Sequence, residues 1–435
     1  MNEKIIVAGT THDYIKIIAD RYPGRAVFLT EATECRRLET IGFSGKIDIV
    51  ESDLSDHDKA FEDLKDYIAQ HQYRPAGIAC YDCESMLLAS RLADKLGLPY
   101  PDERTIQNTR VKYATKQIWE KNGITCPRAR LLRTPGDVLK FHEEIQQPLV
   151  LKPLTGSGSE LVFLCETKLD CLRAVKTMTS MLADHHNQRM YASYTSPDST
   201  VNPRQVLEAE EYIKGREYSC DFIIDGRKLE IIRIARKYPL VEKYFGTTIA
   251  YLLPVEMPGD IKLKTIQKTL KQAALALGIK RAMVMVDFII RRGRIYMLEM
   301  TPRPGGDCLP DLIYRSCGFD ILGAALDFAA GRKISVPAAK KWEQLVGLRL
   351  FAPKDGIIKN IDLSSFQNDN RIVSSYLKAG GGSRVILPPE NYDTRILGHV
   401  IFKPRNKRMI AAECQEISDK INLEMEASSW ATASR

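Results

Sequence analysis

This sequence of 435 residues lacks several features, and each absence narrows the class of protein. It has no run of about 18 consecutive apolar residues, so we expect neither a membrane-spanning helix nor a membrane partner. Its first residues, MNEKIIVAG, lack the basic and apolar segments of a secretory leader. From these two absences we predict a cytoplasmic protein, and the ordinary apolar content of 44% predicts large buried cores.

A concentrated tract of charge is also missing, because the formal net charge of +8 is spread along the chain. A dispersed basic excess suits a protein that binds phosphates and acids. No recognised nucleic-acid-binding motif accompanies the excess, so we expect no nucleic-acid partner.

Zinc-like cysteine spacings are absent, because the ten cysteines are scattered apart from the pair Cys80 and Cys83. No second ligand pair follows this C-x-x-C segment, and the seven histidines are dispersed. We interpret the two cysteines as small apolar residues at a strand-to-helix junction, with a redox dithiol as the alternative. Without a secretory leader, reduced thiols are expected throughout.

The first part of the chain contains alternating strand and helix patterns. Strands are predicted at 4–8, 25–29, 46–50 and 77–80, and helices at 56–70 and 84–96. This alternation predicts an α/β fold that begins with a doubly wound parallel sheet. The first turn, GTTH at 9–12, lacks the repeated glycines of a dinucleotide-binding fingerprint, so no nucleotide is expected in this domain.

The most informative stretch is residues 283–307, MVMVDFIIRRGRIYMLEMTPRPGGD, in which two apolar runs flank a polar turn. This pattern predicts an antiparallel hairpin. A turn centred on Gly293 places Asp287 directly opposite Glu299. Directly opposed side chains lie about 5 Å apart, and two carboxylates at that distance repel each other by about 3 kcal/mol at an effective dielectric of about 20. A cation is therefore expected between them.

Side chains alternate along a strand, so the hairpin has two faces. Thr301 and Arg303 share the face of Glu299. The positions predicted to face the core are Val284, Val286, Phe288, Leu298 and Met300. Paired carboxylates beside other oxygen ligands suit Mg²⁺, which usually binds one or two carboxylates together with substrate phosphates. The alternative is a salt-bridged hairpin in which Arg303 neutralises Glu299 and no metal binds.

A second candidate site is the predicted strand 148–153, which carries Lys152 and runs into the turn LTGSGS at 154–159. The N–H groups of such a turn can surround phosphates while the lysine supplies a positive charge. The residue order is not that of a P-loop, and an ordinary hairpin turn is the alternative. Two predicted helices, at 109–121 and at 135–144, precede this region.

The remaining patterns complete the predicted architecture. An acidic segment at 206–219 leads into a strand at 220–224. One face of a helix that ends at Gly278 is marked by Ile266, Leu270, Ala273 and Leu277. A helix is predicted at 321–330, residues 342–412 are strand-rich, and the polar last twenty residues are expected to be disordered.

In this order, the lysines, the Gly/Ser turn, the acidic segment and the carboxylate hairpin resemble the ATP-grasp superfamily, and within it the L-amino acid ligases and related carboxylate–amine ligases. The opening of the strand-rich unit, GLRLFAP at 347–353, and Gly305-Gly306-Asp307 resemble the amino acid ligases. The implied division is an N-terminal α/β domain at 1–108, an ATP-grasp domain at 109–335 with its lid at about 125–207, a strand-rich C-terminal subdomain at 336–412 and a polar tail at 413–435.

The resemblance also implies roles for individual residues. Lys112 and Lys152 match the two lysines that contact ATP phosphates, and Glu217 matches the acid that holds the ribose. The glycine-rich loop is matched by Gly156, Ser157 and Gly158. The hinge that holds adenine is matched by Glu210, Glu211, Tyr212 and Ile213.

The family's magnesium acids are usually two glutamates, the second of which begins the pattern E-x-N-x-R. Asp287 and Glu299 keep the family's spacing, and Arg303 keeps the arginine. Asp287 is one carbon shorter than glutamate, and Thr301 replaces the asparagine. Both still offer oxygen, so the resemblance implies Mg²⁺, or Mn²⁺ in its place, at Asp287, Glu299 and Thr301.

The implied activity is transfer of the γ-phosphate of ATP to a carboxylate, followed by attack of an amine and release of ADP and phosphate. Arg303 would hold the carboxylate and then the developing oxyanion. Small-molecule carboxylate and amine substrates are expected, one of them an amino acid, and a homodimer is expected because dimers are usual in such ligases. The alternatives are another acylphosphate-forming enzyme, biotin carboxylase-like or of the purine pathway, and an ATP-binding regulator without chemistry. The segment 236–245 falls where such ligases shape the substrate pocket, but a solvated loop explains it equally well.

Overall fold

The computed structural model describes residues 2–43, 47–195, 200–240, 244–259 and 261–427. The N-terminal elements are β1 (Asn2–Ala8), α1 (His12–Arg21), β2 (Ala26–Thr30), α2 (Ala32–Thr40), β3 (Asp48–Glu51), α3 (His57–His71), β4 (Tyr73–Ala79) and α4 (Met86–Leu96). The strands form a parallel sheet in the order β3-β2-β1-β4. Helices cover both faces, which explains the unbroken apolar run of β2. The predicted doubly wound sheet is confirmed, although α1 and α2 were not predicted and residue 46 lies outside the described residues.

The single helix predicted at 109–121 is wrong. The chain forms α5 (Glu103–Arg110) and α6 (Lys112–Lys121), and Val111 between them has an extended backbone. The Val111 side chain is buried against Leu154 and Val206, so tertiary packing overrides the local helical preference. The break places Lys112 in the first turn of α6, where its N–H donates to the Leu154 carbonyl.

The next region is a small mixed layer. Its elements are β5 (Ala129–Leu132), α7 (Pro135–Ile145), β6 (Leu149–Pro153), β7 (Phe163–Cys165), α8 (Lys168–Ala183), β8 (Tyr194–Thr195), β9 (Thr200–Val201) and β10 (Leu207–Glu211). One sheet has the order β5-β10-β6-β7, and β8 pairs with β9. Both α7 and α8 begin with capping boxes, of Thr134 with Asp137 and of Thr167 with Asp170.

An eight-stranded antiparallel sheet forms the centre of the molecule. Its first elements are β11 (Arg216–Asp225), β12 (Lys228–Pro239), β13 (Thr248–Leu253), α9 (Leu263–Ala276), β14 (Arg281–Arg291), β15 (Arg294–Thr301), α10 (Leu309–Cys317) and α11 (Ile321–Ala329). The predicted core face of α9 is confirmed, since Ile266, Leu270, Ala273 and the following Leu277 are fully buried.

The C-terminal region continues this sheet. Its elements are β16 (Leu345–Phe351), β17 (Gly356–Asp362), β18 (Ile372–Leu377), β19 (Arg384–Val385), β20 (Ile396–Phe402), α12 (Ile410–Ser418) and β21 (Asn422–Glu426), with short 3₁₀ turns at Ala339–Lys341 and Ser364–Asn368. The sheet order is β15-β14-β11-β12-β13-β16-β20-β18. The strand-rich unit therefore shares its main sheet with the preceding region, and the domain boundaries themselves stay predictions.

The expectation of a disordered tail is wrong as far as the structure describes the chain. Apolar side chains of α12, Ile410, Cys414 and Ile417, are buried, and β21 pairs with β17. The polar look of this segment comes from the exposed half of a strand and a helix. Residues 428–435 of the predicted tail lie outside the described part of the chain.

The carboxylate hairpin has the predicted pair but not the predicted register. A two-residue turn at Arg292 and Gly293, both with positive φ, joins β14 to β15. A bulge between Asp287 and Phe288 then shifts the register, so that Asp287 faces Glu299. Most predicted core positions are buried, namely Val284, Val286, Phe288 and Met300. Leu298 is a correction, because the shifted register gives its core position to Met297.

Two predictions concern the chain as a whole. All ten cysteines are free thiols, as expected. Among the residues that the structure describes, no helix is both long and apolar enough to cross a bilayer.

Candidate active site

Two lysines from different elements converge on one carboxylate of β10. Lys116 of α6 and Lys152 of β6 each place Nζ 2.7 Å from Oε1 of Glu210. Burial alone would raise the pKa of Glu210, but the two ammonium groups lower it to about 2. The predicted hinge residue Glu210 is therefore a buried carboxylate held between two lysines.

Glu208 and Lys116 belong to this cluster but were missed in the sequence. Glu208 is fully buried and faces Lys152 across the β6–β10 pair. Burial, and then the charge of Glu210, raise the pKa of Glu208 to about 8, so this acid is protonated at neutral pH. Both residues had a usable signal: Lys116 lies four positions after Lys112 on one helix face, and Glu208 alternates with Glu210 on one strand face.

Lys112 connects α6 to the Gly/Ser turn. Its Nζ donates to the Gly156 carbonyl at 2.8 Å. Gly156 and Gly158 have φ of 129° and 67°, which glycine adopts without strain. The turn joins the antiparallel strands β6 and β7, as the hairpin alternative supposed. It also places Gly156 beside Lys112 and Glu299 in one small cleft, so the two interpretations are compatible.

The hinge residues after Glu210 lie at the end of β10 and just beyond it. Glu211 and Tyr212 donate backbone N–H groups to the carbonyls of Arg128 and Pro148. The Tyr212 ring packs edge-on against Phe245 at 5.9 Å. Ile213 is buried. The adenine role of Glu211, Tyr212 and Ile213 stays a prediction.

Glu299 and Asp287 face each other but have different electrostatic surroundings. Burial would raise the pKa of Glu299, but nearby lysines, led by Lys112 and Lys152, lower it overall. Burial raises the pKa of Asp287 to about 6, against the lowering effect of Lys237. At neutral pH both side chains are carboxylates, and each depends on a neighbouring cation.

The cation expected at this pair is Lys237, which the sequence did not assign. Its Nζ lies 2.6 Å from Oδ2 of Asp287 and also contacts Oε1 of Glu217. Arg303 does not neutralise Glu299, as the salt-bridged alternative required. Its Nε instead donates to Cys83 Sγ at 3.1 Å.

Arg303 lines a cavity of about 190 Å³ at the border with the N-terminal sheet. The loops after β1 and β4 meet there, as expected at the carboxyl ends of parallel strands. Other lining residues are Thr10, Tyr14, Asp82, Glu84, Ser157 and Asp307. The Tyr14 hydroxyl is buried, and no hydrogen-bond partner for it occurs among the described residues. Cys83 lines this cavity and the cleft of Glu299, so the two spaces are neighbours. The sequence interpretation had given Cys83 only a packing role.

The loop after Arg303 is held by a buried ion pair and by a second, partly exposed one. The Gly305 N–H donates to Oδ1 of Asp221 at 2.8 Å, and Oδ2 of Asp221 accepts from Arg233 Nε at 2.6 Å. Asp307 is paired with Arg349. These contacts fix the backbone on which Arg303 stands, so the guanidinium is oriented before any substrate arrives.

The oxygen atoms at the hairpin fit a magnesium ion. Among the described residues, no group of three or more Asp, Glu, His or Cys side chains forms a metal site on its own. However, Oδ1 of Asp287 is buried and has no hydrogen-bond partner there, and Thr301 lines the cleft beside Glu299. Two carboxylates and a hydroxyl suit an ion that completes its coordination with phosphates. The metal role of Thr301 stays a prediction.

Comparison with known proteins agrees with this arrangement. The family model of the ATP-grasp domain matches residues 145–311, which run from the end of α7 into α10. The chain contains an ATP-grasp domain. The match includes Lys152, the Gly/Ser turn, the hinge and the carboxylate hairpin.

Relatives of this chain include ligases. D-alanine–D-alanine ligase of Cupriavidus taiwanensis is 24% identical over 263 residues, which are 58% of this chain and 73% of that protein. L-amino acid ligase from Bacillus licheniformis has a similar structure, with a TM-score of 0.76 and 18% identity over 98% of this chain and 99% of that one. The biotin carboxylase domain dimer of Hydrogenobacter thermophilus 2-oxoglutarate carboxylase, in complex with MgADP, ADP and bicarbonate, has a TM-score of 0.66 at 14% identity over 97% of this chain and 90% of that one. The structural likenesses establish the ATP-grasp fold.

Proposed function

We propose that the protein is an ADP-forming carboxylate–amine ligase that uses an amino acid as one substrate. The observation that carries this proposal is the adjacency of two spaces of different charge. The cleft of Glu299 is lined by two cations, Lys112 and Arg110, whereas the cavity of Arg303 is lined by three acids, Asp82, Glu84 and Asp307. A triphosphate suits the first space, and a zwitterion suits the second.

The cleft of Glu299, together with the neighbouring Lys152, is the proposed ATP site. Lys112 and Lys152 neutralise phosphate charge, and the N–H groups of the Gly/Ser turn donate to phosphate oxygens. Mg²⁺, when bound through Asp287 and Glu299, supplies further neutralisation of phosphate charge. Phosphoryl transfer requires mainly positioning and charge neutralisation, and this cluster provides both. The relatives named above support the assignment, because they are ATP-grasp ligases or were crystallised with MgADP.

The cavity is the proposed site of the amino acid. Arg303 binds its carboxylate, and an acidic side chain that lines the same cavity, Asp82 or Glu84, binds its ammonium group. Asp82 is held in place by N–H donors from Thr10 at 2.8 Å and from Ser85 at 2.6 Å. The wall is therefore a fixed anion, which suits recognition of a cation at a set distance from Arg303.

In the proposed reaction, a carboxylate oxygen attacks the γ-phosphorus of ATP, and the bond from that phosphorus to the β-phosphate oxygen breaks. The products are an acylphosphate and ADP. An amine then attacks the acyl carbon, loses a proton and expels phosphate, which leaves an amide. Arg303 stabilises the negative oxygen at the acyl carbon in this second step.

ADP release tests the proposal directly. ADP is measured with Mg-ATP and pools of amino acids and small carboxylates, for the wild type and for Arg303→Ala, with Arg294→Ala at the exposed hairpin turn as the matched control. We expect release that needs two co-substrates, is lost in Arg303→Ala and is kept in Arg294→Ala. Release that requires only bicarbonate would instead favour a biotin carboxylase-like enzyme.

A second candidate function is an ATP-binding regulator without chemistry. The observation that favours it is Lys237, which occupies Oδ2 of one proposed magnesium acid, Asp287. A regulator would bind ATP tightly and release no ADP with any pool of co-substrates. The same assay therefore separates the two functions.

A further inference from the structure

Lys237 joins two sites that the proposed function keeps separate. It lies on β12, while Glu217 lies on β11 and Asp287 on β14. Because β11 runs between β12 and β14, the lysine contacts Glu217 on the neighbouring strand and reaches across that strand to contact Asp287. Glu217 is the proposed ribose acid, and Asp287 is a proposed metal acid. One ammonium group therefore serves both.

The contacts of Lys237 are close and largely shielded from water. Its side chain is 10% exposed, that of Asp287 is 6% exposed and that of Glu217 is 34% exposed. Charge-assisted hydrogen bonds of this kind are roughly twice as strong as neutral ones. A ligand that needs either carboxylate must compete with the lysine.

The two carboxylate oxygens of Asp287 differ in their contacts, and this difference determines what a metal ion would meet there. Oδ1 is buried, and no partner for it occurs among the described residues, whereas Oδ2 is taken by Lys237. With the lysine in place, a cation near Asp287 meets one free oxygen and a positive charge beside it. With the lysine displaced, it meets a full carboxylate opposite Glu299.

We propose that Lys237 couples nucleotide binding to metal binding, because in the empty protein it holds both Glu217 and Asp287 and each ligand displaces it. The inference rests on the proposed function, which gives Asp287 its role, and on the match of Glu217 to the ribose acid of the family that the sequence resembles. A ribose that takes Glu217 weakens the hold of Lys237 and so opens Asp287 to the metal. By thermodynamic linkage, the metal strengthens ribose binding by the same factor. The chain thereby binds the metal weakly until a nucleotide is present.

Adenosine and Mn²⁺ test this coupling without phosphates. Adenosine carries the ribose but cannot chelate the metal through a phosphate, so any mutual effect passes through the protein. Free Mn²⁺ is followed by its EPR signal, and adenosine binding is followed by calorimetry. In the wild type we expect adenosine to tighten Mn²⁺ binding at least about fivefold, and Mn²⁺ to tighten adenosine binding equally.

Lys237→Met should make the binding of Mn²⁺ independent of the binding of adenosine. We expect Mn²⁺ to bind this variant about tenfold more tightly without adenosine, and the coupling to disappear. Lys228→Met removes the same charge from the exposed start of β12 and should behave as the wild type. Thermal unfolding of both variants checks the fold, and the wild-type coupling alone decides the matter if Lys237→Met does not fold.

Two outcomes would overturn the inference in distinguishable ways. If Mn²⁺ and adenosine both bind the wild type but do so independently, Lys237 does not couple them and the proposed function still stands. If neither adenosine nor Mg-ATP binds, the nucleotide site is wrong and both proposals fail together.

Discussion

The two spaces that meet near Cys83 differ in the sign of their charge. Around Glu299, the neighbouring charges that lower its pKa all belong to lysines, led by Lys112 and Lys152. Around Arg303, acids from the N-terminal loops outnumber the single guanidinium. The difference supports the proposed division, in which one site binds a ligand with many negative charges and the other a ligand with one charge of each sign. Each substitution below alters one side of this comparison.

The largest effect is expected from Glu299→Gln. It removes a carboxylate that is proposed to hold the magnesium ion, and this ion would neutralise phosphate charge. We expect ADP release to fall by a factor on the order of 10³, with an unchanged melting temperature. Glu256→Gln, an exposed control, should keep full activity. Normal turnover in Glu299→Gln would mean that this carboxylate is not part of the phosphoryl-transfer site.

Lys116→Met should reduce stability more than any surface change. It removes one of the two cations that hold Glu210 and leaves a buried charge with a single partner. We expect a loss of about 3 kcal/mol in the free energy of unfolding, measured in urea. Lys121→Met, at the exposed end of the same helix, should change it by less than about 0.5 kcal/mol. Equal losses of unfolding free energy in the two variants would show that the buried Lys116 contributes no more to stability than an exposed lysine.

The pH dependence of stability tests the protonated state of Glu208. Its pKa in the folded protein is about 8, whereas the unfolded value is about 4.3. The folded state therefore holds a proton that the unfolded state has lost, and stability falls as pH rises between these values. The loss is at most about 1.4 kcal/mol per pH unit, and it is complete above pH 8.

Glu208→Gln removes this titration. Between pH 6 and pH 8, the unfolding free energy of the wild type should fall relative to that of the variant by at most about 3 kcal/mol. Parallel stability curves for the two proteins would contradict the assignment of a neutral Glu208.

The smallest effect is expected from Asp82→Asn, which reduces the negative charge of the cavity wall. We expect the KM of the amino acid to rise about tenfold while the KM of ATP stays constant, because a single charge-assisted contact is weakened. Asp94→Asn on the exposed face of α4 is the matched control. A rise in the KM of ATP alone would show that Asp82 affects the ATP site and does not bind the amino acid.

Much of the fold follows from local patterns in the sequence. The β-rich runs of the first domain and the apolar face of α9 each have a clear period. The break at Val111 does not, because it depends on packing against Leu154, which is distant in the chain. The hairpin gave the right pair for an incomplete reason, since the two-residue turn and the bulge after Asp287 offset each other. A bulge of this kind has no local signal.

The candidate site was predicted unevenly. Lys152 before the Gly/Ser turn and the two acids of the hairpin lie in recognisable motifs. Their roles were assigned from the resemblance to a family. Lys237 comes from a segment with no motif, and the C-x-x-C pattern of Cys83 does not indicate this site. Both residues reach the site only because strands and loops distant in sequence meet there. The site roles themselves await the measurements above.

The fate of the carboxylate oxygen tests the central claim most directly. A carboxylic acid substrate labelled with ¹⁸O in its carboxylate is turned over with Mg-ATP and an amine, and the released phosphate is analysed by mass spectrometry. The account requires one ¹⁸O atom in each phosphate, because the oxygen that attacks the γ-phosphorus leaves with it. Unlabelled phosphate formed together with amide would contradict an acylphosphate and, with it, the proposed meeting of the two spaces at Glu299 and Arg303.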